Sequence, residues 1–326
     1  MFRQRCFVAL VLCVPAVALA QPASASAYPN RPLRIIVPFP AAGPTDIVAR
    51  LIGIKMSERL GQNVIVDNRA GAGGTIGAEI ATRSAPDGYT LLMGSTANMA
   101  VNVSLYQKLP YDPVRDFQPI NLAAVTPNLL VVSPNFPGNT LKSLIEIAKA
   151  KPGSVNYASG GVGTPSHLAA ELFKTMAGVQ MNHVPYKGSI PALTDVMSGQ
   201  VTLMFDSMAS ALPFARSGKL KALAQTGSKR SAAAPEIQTV AEGGLPGYEV
   251  VGWFGFFAPV KTPRPIVNKL SREITEILAL PDVKERYAAL GIEPGPADPD
   301  VVAAFLKSEI AKWGKVIRAS GAKVDQ

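Results

Sequence analysis

Short apolar runs alternate along the chain with stretches in which apolar residues return every three or four positions. The runs at 33–37, 63–67 and 90–94 predict strands, and the stretches at 45–60 and 75–84 predict helices. Within 45–60 the apolar side is expected to carry Ile47, Leu51, Ile54 and Leu60, with Gly61 ending the helix. Such alternation predicts βαβ units and mostly parallel sheets covered by helices on both faces.

The same alternation begins again after residue 128. It predicts strands at 129–133, 155–158, 181–184, 201–205 and 220–225, helices at 140–150, 166–177, 190–198 and 207–217, a buried strand at 250–260, and final helices at 265–278, 282–290 and 299–319. A chain of 326 residues usually divides its core. We therefore expect an α/β protein of two lobes.

The N-terminus has the pattern of a secretory signal peptide. Arg3 and Arg5 precede an apolar run at 7–20 that ends in Ala18-Leu19-Ala20 and is too short to span a bilayer. Cleavage is expected after Ala20, Ala25 or Ala27, which predicts a periplasmic protein. Cys6 and Cys13 both lie inside this segment, so the mature chain would have neither a disulfide nor thiol chemistry.

The net charge of +9 becomes +7 once Arg3 and Arg5 are removed. The cations are scattered singly along predicted helices, without a cluster interleaved with aromatic residues. This distribution argues against nucleic-acid binding and fits a mild attraction of anionic solutes.

Two Gly- and Pro-rich loops, at 38–46 and 159–167, each join a predicted strand to a helix. A helix N-terminus offers unpaired N–H donors and a partial positive charge, and a glycine-rich loop lets a ligand approach them. Facing each other, the loops would form an anion clamp without a formal charge, with the hydroxyls of Thr45, Thr164 and Ser166 as further donors. Plain helix capping is the alternative for each loop.

A third glycine-rich stretch, at 70–77, also follows a strand. It does not fit the dinucleotide-binding pattern GxGxxG, because the third glycine would fall at Ile76. It is either a tight turn or a further donor loop. Ser95, Thr96 and Asn98 occupy a similar position after the strand at 90–94.

The sequence contains no GxSxG, HExxH, Walker A or CxxC motif, so these common catalytic patterns are missing. Of the two histidines, His167 is placed where it could line a cleft, and His183 is more readily a structural residue. Asp206 could bind a ligand ammonium or hydroxyl, or could equally cap the next helix. We expect no enzyme activity, no cofactor and no metal.

Six ordered stretches resemble the Bug-type receptors, the substrate-binding components of tripartite tricarboxylate transporters. They are IIVPFPAAGPTDIVAR, VDNRAGAGGTIGAE, PDGYTLLMGS, LPYDPVRDFQPI, SGGVGTPSHLAAELF and HVPYKGSIPALTDVMSGQV, beginning at residues 35, 66, 86, 109, 159 and 183. The resemblance implies a type II periplasmic-binding-protein fold, in which each lobe has a central, mostly parallel sheet flanked by helices and the ligand cleft lies between the lobes. One lobe would comprise 28–125 and 250–326, the other 126–249, after a leader at 1–27.

The resemblance also implies a carboxylate ligand, namely a di- or tricarboxylate, an acidic amino acid or an aromatic acid. Its binding positions would be Phe39, Ala41, Gly43, Thr45, Asp46, Gly163, Thr164 and Ser166, with Gly73, Ser95, Thr96, Asn98, Tyr186 and Asp206 choosing the ligand and His167 beside them. Two positions depart from the family pattern: Ala42 replaces a glycine, and Asn98 stands where many relatives have histidine.

The expected mechanism is closure about hinges near 122–128 and 225–250, followed by docking of a monomeric receptor on the membrane subunits of the transporter. A sensor subunit for a membrane kinase, an exported enzyme and an ABC-transporter receptor are the alternatives. Closure would exclude water and so strengthen each hydrogen bond to the ligand.

Overall fold

The structure is a computed structural model that describes residues 28–320, so the predicted signal segment lies outside the described residues. The first part of the chain forms β1 (Leu33–Val37), α1 (Pro44–Leu60), β2 (Val64–Asn68), α2 (Thr75–Thr82), β3 (Thr90–Ser95), a π-helical turn (Ala97–Val101) and α3 (Asn102–Leu105). A 3-10 turn at Ala72–Gly74 leads into α2.

The remaining elements follow the predicted order, and with one exception the predicted ends are correct to within two residues. They are β4 (Phe117–Val132), α4 (Leu141–Ala150), β5 (Val155–Ser159), α5 (Pro165–Ala177), β6 (Met181–Pro185), α6 (Ser189–Ser198), β7 (Leu203–Ser207), α7 (Met208–Arg216), β8 (Lys221–Gln225), β9 (Val251–Pro259), α8 (Arg264–Leu278), α9 (Pro281–Leu290) and α10 (Pro299–Ser320).

The exception is β4, of which the sequence predicted only 129–133. Its first part pairs antiparallel with β9, from Phe117 opposite Pro259 to Pro127 opposite Val251. The pattern there is hidden because prolines and asparagines interrupt the apolar run. The register shifts between Pro119 and Asn121, where proline has no N–H for the ladder.

One mixed sheet runs through the molecule in the order β2-β1-β3-β9-β4-β7-β5-β6, with β8 also paired to β4. The strands β2-β1-β3 and β7-β5-β6 are parallel, as predicted, whereas the pairings of β4 and β9 are antiparallel. The predicted α/β fold class is confirmed. The antiparallel centre joins the two parallel halves, because β4 changes partner from β9 to β7 between Pro127 and Asn128. The exact lobe boundaries stay a prediction.

Of the four residues predicted on the apolar side of α1, Ile47, Leu51 and Leu60 are partly buried and pack against the core, but the most buried face lies next to them. Val48, Ile52 and Met56 are fully buried, whereas Ile54 is 59% exposed. The apolar residues of α1 lie on several sides of the helix, so their spacing alone does not select the buried face. Packing against fully buried Ile35 and Leu33 of β1 decides the orientation and fixes the direction in which the first turn of α1 points. Within residues 28–320, no helix is both long and apolar enough to cross a membrane.

Candidate functional site

A cavity of about 620 Å³, part of it open to solvent, lies where the first turns of α1, α5 and α6 meet the end of β7. Eight of the predicted binding residues line it: Phe39, Ala41, Gly43, Thr45, Ser95, Thr164, Ser166 and Asp206. The structure thus brings the loops at 38–46 and 159–167 together, as the clamp hypothesis requires.

Neither α1 nor α5 has a side chain capping its N-terminus. The N-cap residues, Gly43 and Thr164, are extended, and Pro44 and Pro165 occupy the first helical positions. The N–H groups of the following first turn therefore keep their donor capacity for a ligand. This arrangement weighs against the alternative of plain capping for these two loops.

Asp46 does not line the cavity but holds the first loop in place. Its carboxylate accepts hydrogen bonds from Ala42 N–H at 2.9 Å, Arg50 Nε at 2.8 Å and Asn68 Nδ2 at 2.9 Å. Asn68 also donates to Phe39 O at 3.0 Å. Burial alone would raise the pKa of Asp46, but the bonds from Arg50, Ala42 and Asn68 outweigh it and lower the pKa.

Ala42, the departure from the family pattern, has φ of 63°. This left-handed conformation costs about 1–2 kcal/mol for a residue with a Cβ. The hydrogen bond from Ala42 N–H to Asp46 stabilises it, which explains how the loop keeps its shape without the second glycine.

The second loop is held by its own hydroxyls. Thr164 Oγ1 donates to Gly161 O at 2.7 Å and lies 2.8 Å from Ser166 Oγ, which also accepts from Gly160 N–H at 3.0 Å. Since the Thr164 hydrogen is directed at Gly161, the Ser166 hydroxyl hydrogen is the one pointing to Thr164. Turning that hydrogen toward a bound carboxylate would exchange the Ser166–Thr164 hydrogen bond for one to the ligand.

His167 lies behind this loop rather than on the cavity wall. Its Nδ1 accepts from Gly163 N–H at 3.3 Å, and its ring stacks on His183 with centroids 4.3 Å apart. His183 in turn stacks on Tyr157 and lies 2.7 Å from Ser159 Oγ. Burial lowers the pKa of His167, and burial together with the neighbouring His167 lowers that of His183 to about 4. Both neutral rings therefore brace the loop from below.

The other predicted residues are placed around the cavity rather than on its wall. Thr96 Oγ1 accepts from Trp253 N–H, and Asn98 Oδ1 accepts from both the N–H and the hydroxyl of Ser95. Gly163 has φ of 79° and packs against Leu105. Gly73 and Tyr186 line a second, adjoining cavity of about 760 Å³, which Phe39 also lines. The binding roles of all fifteen residues stay a prediction.

Sequence reasoning missed a third helix N-terminus at this cavity. Gly188 is the N-cap of α6, with φ of 129°, and Ser189 and Ile190 follow it on the wall. The signal was present, because a Lys-Gly-Ser turn joins β6 to α6 as glycine-rich loops join the other pairs. Also missed were Thr126 and Asn128 of β4, Ser207 of β7, and Gly252 and Phe254 of β9.

Asp206 is the sole ionisable side chain among the described residues that line the first cavity. It is 2% exposed and accepts from Ser189 Oγ at 2.6 Å and from Ser210 Oγ. Burial raises the pKa of Asp206 to about 6, and the serine hydrogen bonds offset part of this rise. Among the described residues the wall thus offers an anion only backbone dipoles and neutral polar side chains.

The sequence matches the family model for the tripartite tricarboxylate transporter family receptor, TctC, over residues 48–322. Protein BugT of Bordetella pertussis is 42% identical over 307 residues, which cover 94% of each chain. The chain belongs to the TctC family. A relative encoded in the tcbD–tcbE intergenic region of Pseudomonas sp. is 43% identical over 89% of this chain and 87% of its own.

Solved structures of TctC-family receptors have the same fold. Rpa4515 of R. palustris with adipate has a TM-score of 0.88 at 37% identity, covering 90% of this chain and 98% of that one. The periplasmic binding protein BugD has a TM-score of 0.87 at 37% identity, over 91% and 99% of the two chains. MatC of Rhodopseudomonas palustris with bound malate has a TM-score of 0.84 at 37% identity, over 89% and 100%.

Membership of the TctC family confirms the predicted class of protein. TctC-family proteins are solute-binding receptors of transport systems rather than enzymes, so the prediction of no catalytic activity is confirmed by the family. The family resemblance stated from the six sequence stretches is likewise confirmed.

Proposed function

We propose that this receptor captures a small carboxylate between the N-termini of α1 and α5 and delivers it to the membrane subunits of a tripartite transporter. The observation that carries the proposal is the shared cavity. The first turns of both helices line it without side-chain caps, and no cation lines it among the described residues. Helix N-termini bind carboxylates by their N–H groups and dipoles.

The solved relatives support the chemical class of the ligand. Rpa4515 is described with adipate and MatC with malate, both of which are dicarboxylates. In this chain the carboxylate would accept from the N–H groups of the two first turns and from the hydroxyls of Thr45 and Ser166. Thr45 is 2% exposed and its hydroxyl forms no hydrogen bond within residues 28–320, so it is available to a ligand.

Binding is proposed to close the two lobes about the points where the chain passes between them. One point is β4 at its change of partner, and the other lies beside it at Thr226. Thr226 Oγ1 accepts from Asn128 N–H at 2.8 Å and donates to Val250 O at 2.5 Å. Bending at these few hydrogen-bonded residues would bring the loops of the two lobes together around the ligand.

The N-terminal pattern supports export, with proposed cleavage near residues 20–27 and a periplasmic mature protein. The receptor would bind its ligand there as a monomer before it docks on the membrane subunits. Uptake of a radiolabelled acid by cells carrying the membrane subunits, with and without this receptor, measures delivery. Equal uptake in both would contradict the delivery role.

The binding test uses the mature protein and a panel of acids, sugars and amines in thermal-shift and calorimetric measurements. A carboxylate is expected to bind, and Thr45→Ala or Ser166→Ala should each weaken it about 10- to 100-fold, since a hydrogen bond to a charged group contributes about 1.5–3 kcal/mol. Thr175→Ala is the control, because its exposed hydroxyl on α5 bonds only Glu171 O. Binding of sugars or amines alone, or unchanged affinity in both variants, would refute the site.

A further inference from the structure

The second cavity lies directly beside the proposed carboxylate site. Its walls are the turn at 70–74, Tyr106, and the segments 160–162 and 185–187, and it shares Phe39, Pro40 and Gly160 with the first cavity. A Cβ placed on Gly188 would lie 2.8 Å from Pro40 Cγ, so Pro40 packs closely on the α6 N-cap between the two spaces. A ligand longer than the first cavity would reach the second by crossing the wall of Phe39 and Pro40 that the two cavities share.

The two cavities differ in charge. The sole ionisable residue on the first wall is the buried carboxyl of Asp206, whereas the second has Lys187. Lys187 is exposed, and its ammonium forms no hydrogen bond or ion pair with the residues described. The hydroxyl of neighbouring Tyr186 is already directed at Asp195, and Lys187 is the one cationic side chain among the described residues that line the second cavity.

The second carboxylate of a diacid would interact differently with the charges of the two cavities. A second carboxylate that stayed in the first cavity would share a low-dielectric space with Asp206, and like charges so placed repel. The same group in the second cavity would meet a cation at a partly hydrated site, where attraction is moderate.

We propose that the second cavity is a subsite for the distal carboxylate of an extended diacid, with Lys187 as the residue that recognises it. The inference rests on the proposed function, because the first carboxylate must be held at α1 and α5. Under this inference, Lys187 makes the protein bind long diacids more tightly than monoacids of equal length.

The test compares calorimetric affinities for succinate, glutarate, adipate, pimelate and suberate, with octanoate as the monoacid matched to suberate. The variants are Lys187→Met, which keeps an apolar stem, and Lys187→Arg, which keeps the charge. Lys219→Met is the control for net charge, because Lys219 is an exposed lysine in the turn after α7 and lines neither cavity.

For the long diacids, Lys187→Met should weaken binding about 2- to 10-fold and remove most of the salt dependence of the affinity. Octanoate and succinate should bind Lys187→Met and the wild-type protein equally, and Lys187→Arg should restore the long diacids. The inference is wrong if long diacids bind Lys187→Met as well as Lys219→Met, if the wild-type protein binds no long diacid, or if every acid weakens equally. Failure of the proposed function differs, since then no acid of any length would bind the wild-type protein.

Discussion

Replacing Asp46 with asparagine tests whether the first loop is held as the structure indicates. Both carboxylate oxygens of Asp46 accept hydrogen bonds, one from Asn68 and the other from Ala42 and Arg50. An asparagine has a single acceptor oxygen, so its NH₂ group must face at least one of these donors. If the Asn68 amide flipped to relieve this, it would lose its bond to Phe39 O.

The magnitude follows from these bonds. One buried donor left unpaired costs about 1–3 kcal/mol, and loss of the charge weakens the remaining bonds, so Asp46→Asn should destabilise the protein by about 2–4 kcal/mol at pH 7. Because Ala42 then loses support for its left-handed conformation, carboxylate affinity should fall about 10-fold or more, measured below the unfolding temperature.

Urea unfolding and calorimetry measure the two effects separately. The folded-state pKa of Asp46 lies below its ordinary value, so its stabilising effect is present above that value and is lost as the pH falls through the folded pKa. The difference between the wild-type protein and Asp46→Asn should therefore shrink in acid. Asp300→Asn, which removes an exposed partner of Arg264, is the control and should cost less than about 1 kcal/mol. An Asp46→Asn protein as stable and as tight-binding as the wild type would refute the reasoning.

Three further changes have defined outcomes. The wild-type protein should lose up to about 3 kcal/mol of stability as the pH rises from 4 to 7, because the folded state holds the Asp206 proton to about pH 6. Asp206→Asn should not show this loss, and identical pH profiles in urea unfolding would contradict the prediction. Gly188→Ala should weaken acid binding about 10-fold, since φ of 129° and the contact with Pro40 both exclude a Cβ, and unchanged calorimetric affinity would argue against that contact in the bound form. The wild-type protein should lose stability below pH 6.5, because the buried neutral ring of His183 becomes protonated on unfolding, and His183→Gln should reduce this loss. An equal loss of stability between pH 7.5 and pH 4.5 in both proteins, measured by urea unfolding, would contradict it.

The sequence predicted the alternating elements well because their signals are local. An apolar run of five residues such as β1, and a Gly-Pro pair before α1, depend on neighbours along the chain. The first part of β4 escaped prediction because its partner, β9, is more than a hundred residues away and its own pattern is interrupted by Pro119 and Asn121. Long-range pairing, rather than propensity, makes that segment a strand.

The loops of the candidate site were predictable where glycine and proline mark them in the sequence, as around Gly43 and Gly163. Which residues of a loop face a cavity was not, because that depends on partners elsewhere in the chain. Asp46 lies in the predicted loop, yet Asn68 and Arg50 draw its carboxylate away from the cavity. Thr126 and Gly252 reach the wall only because β4 and β9 pair there.

A crystal structure of the mature protein with a bound dicarboxylate tests the central claim most directly. The account predicts one carboxylate group within about 3 Å of N–H groups in the first turns of both α1 and α5, and of the hydroxyls of Thr45 and Ser166. A ligand whose carboxylates contact only lysine or arginine side chains, away from both helix N-termini, would contradict it.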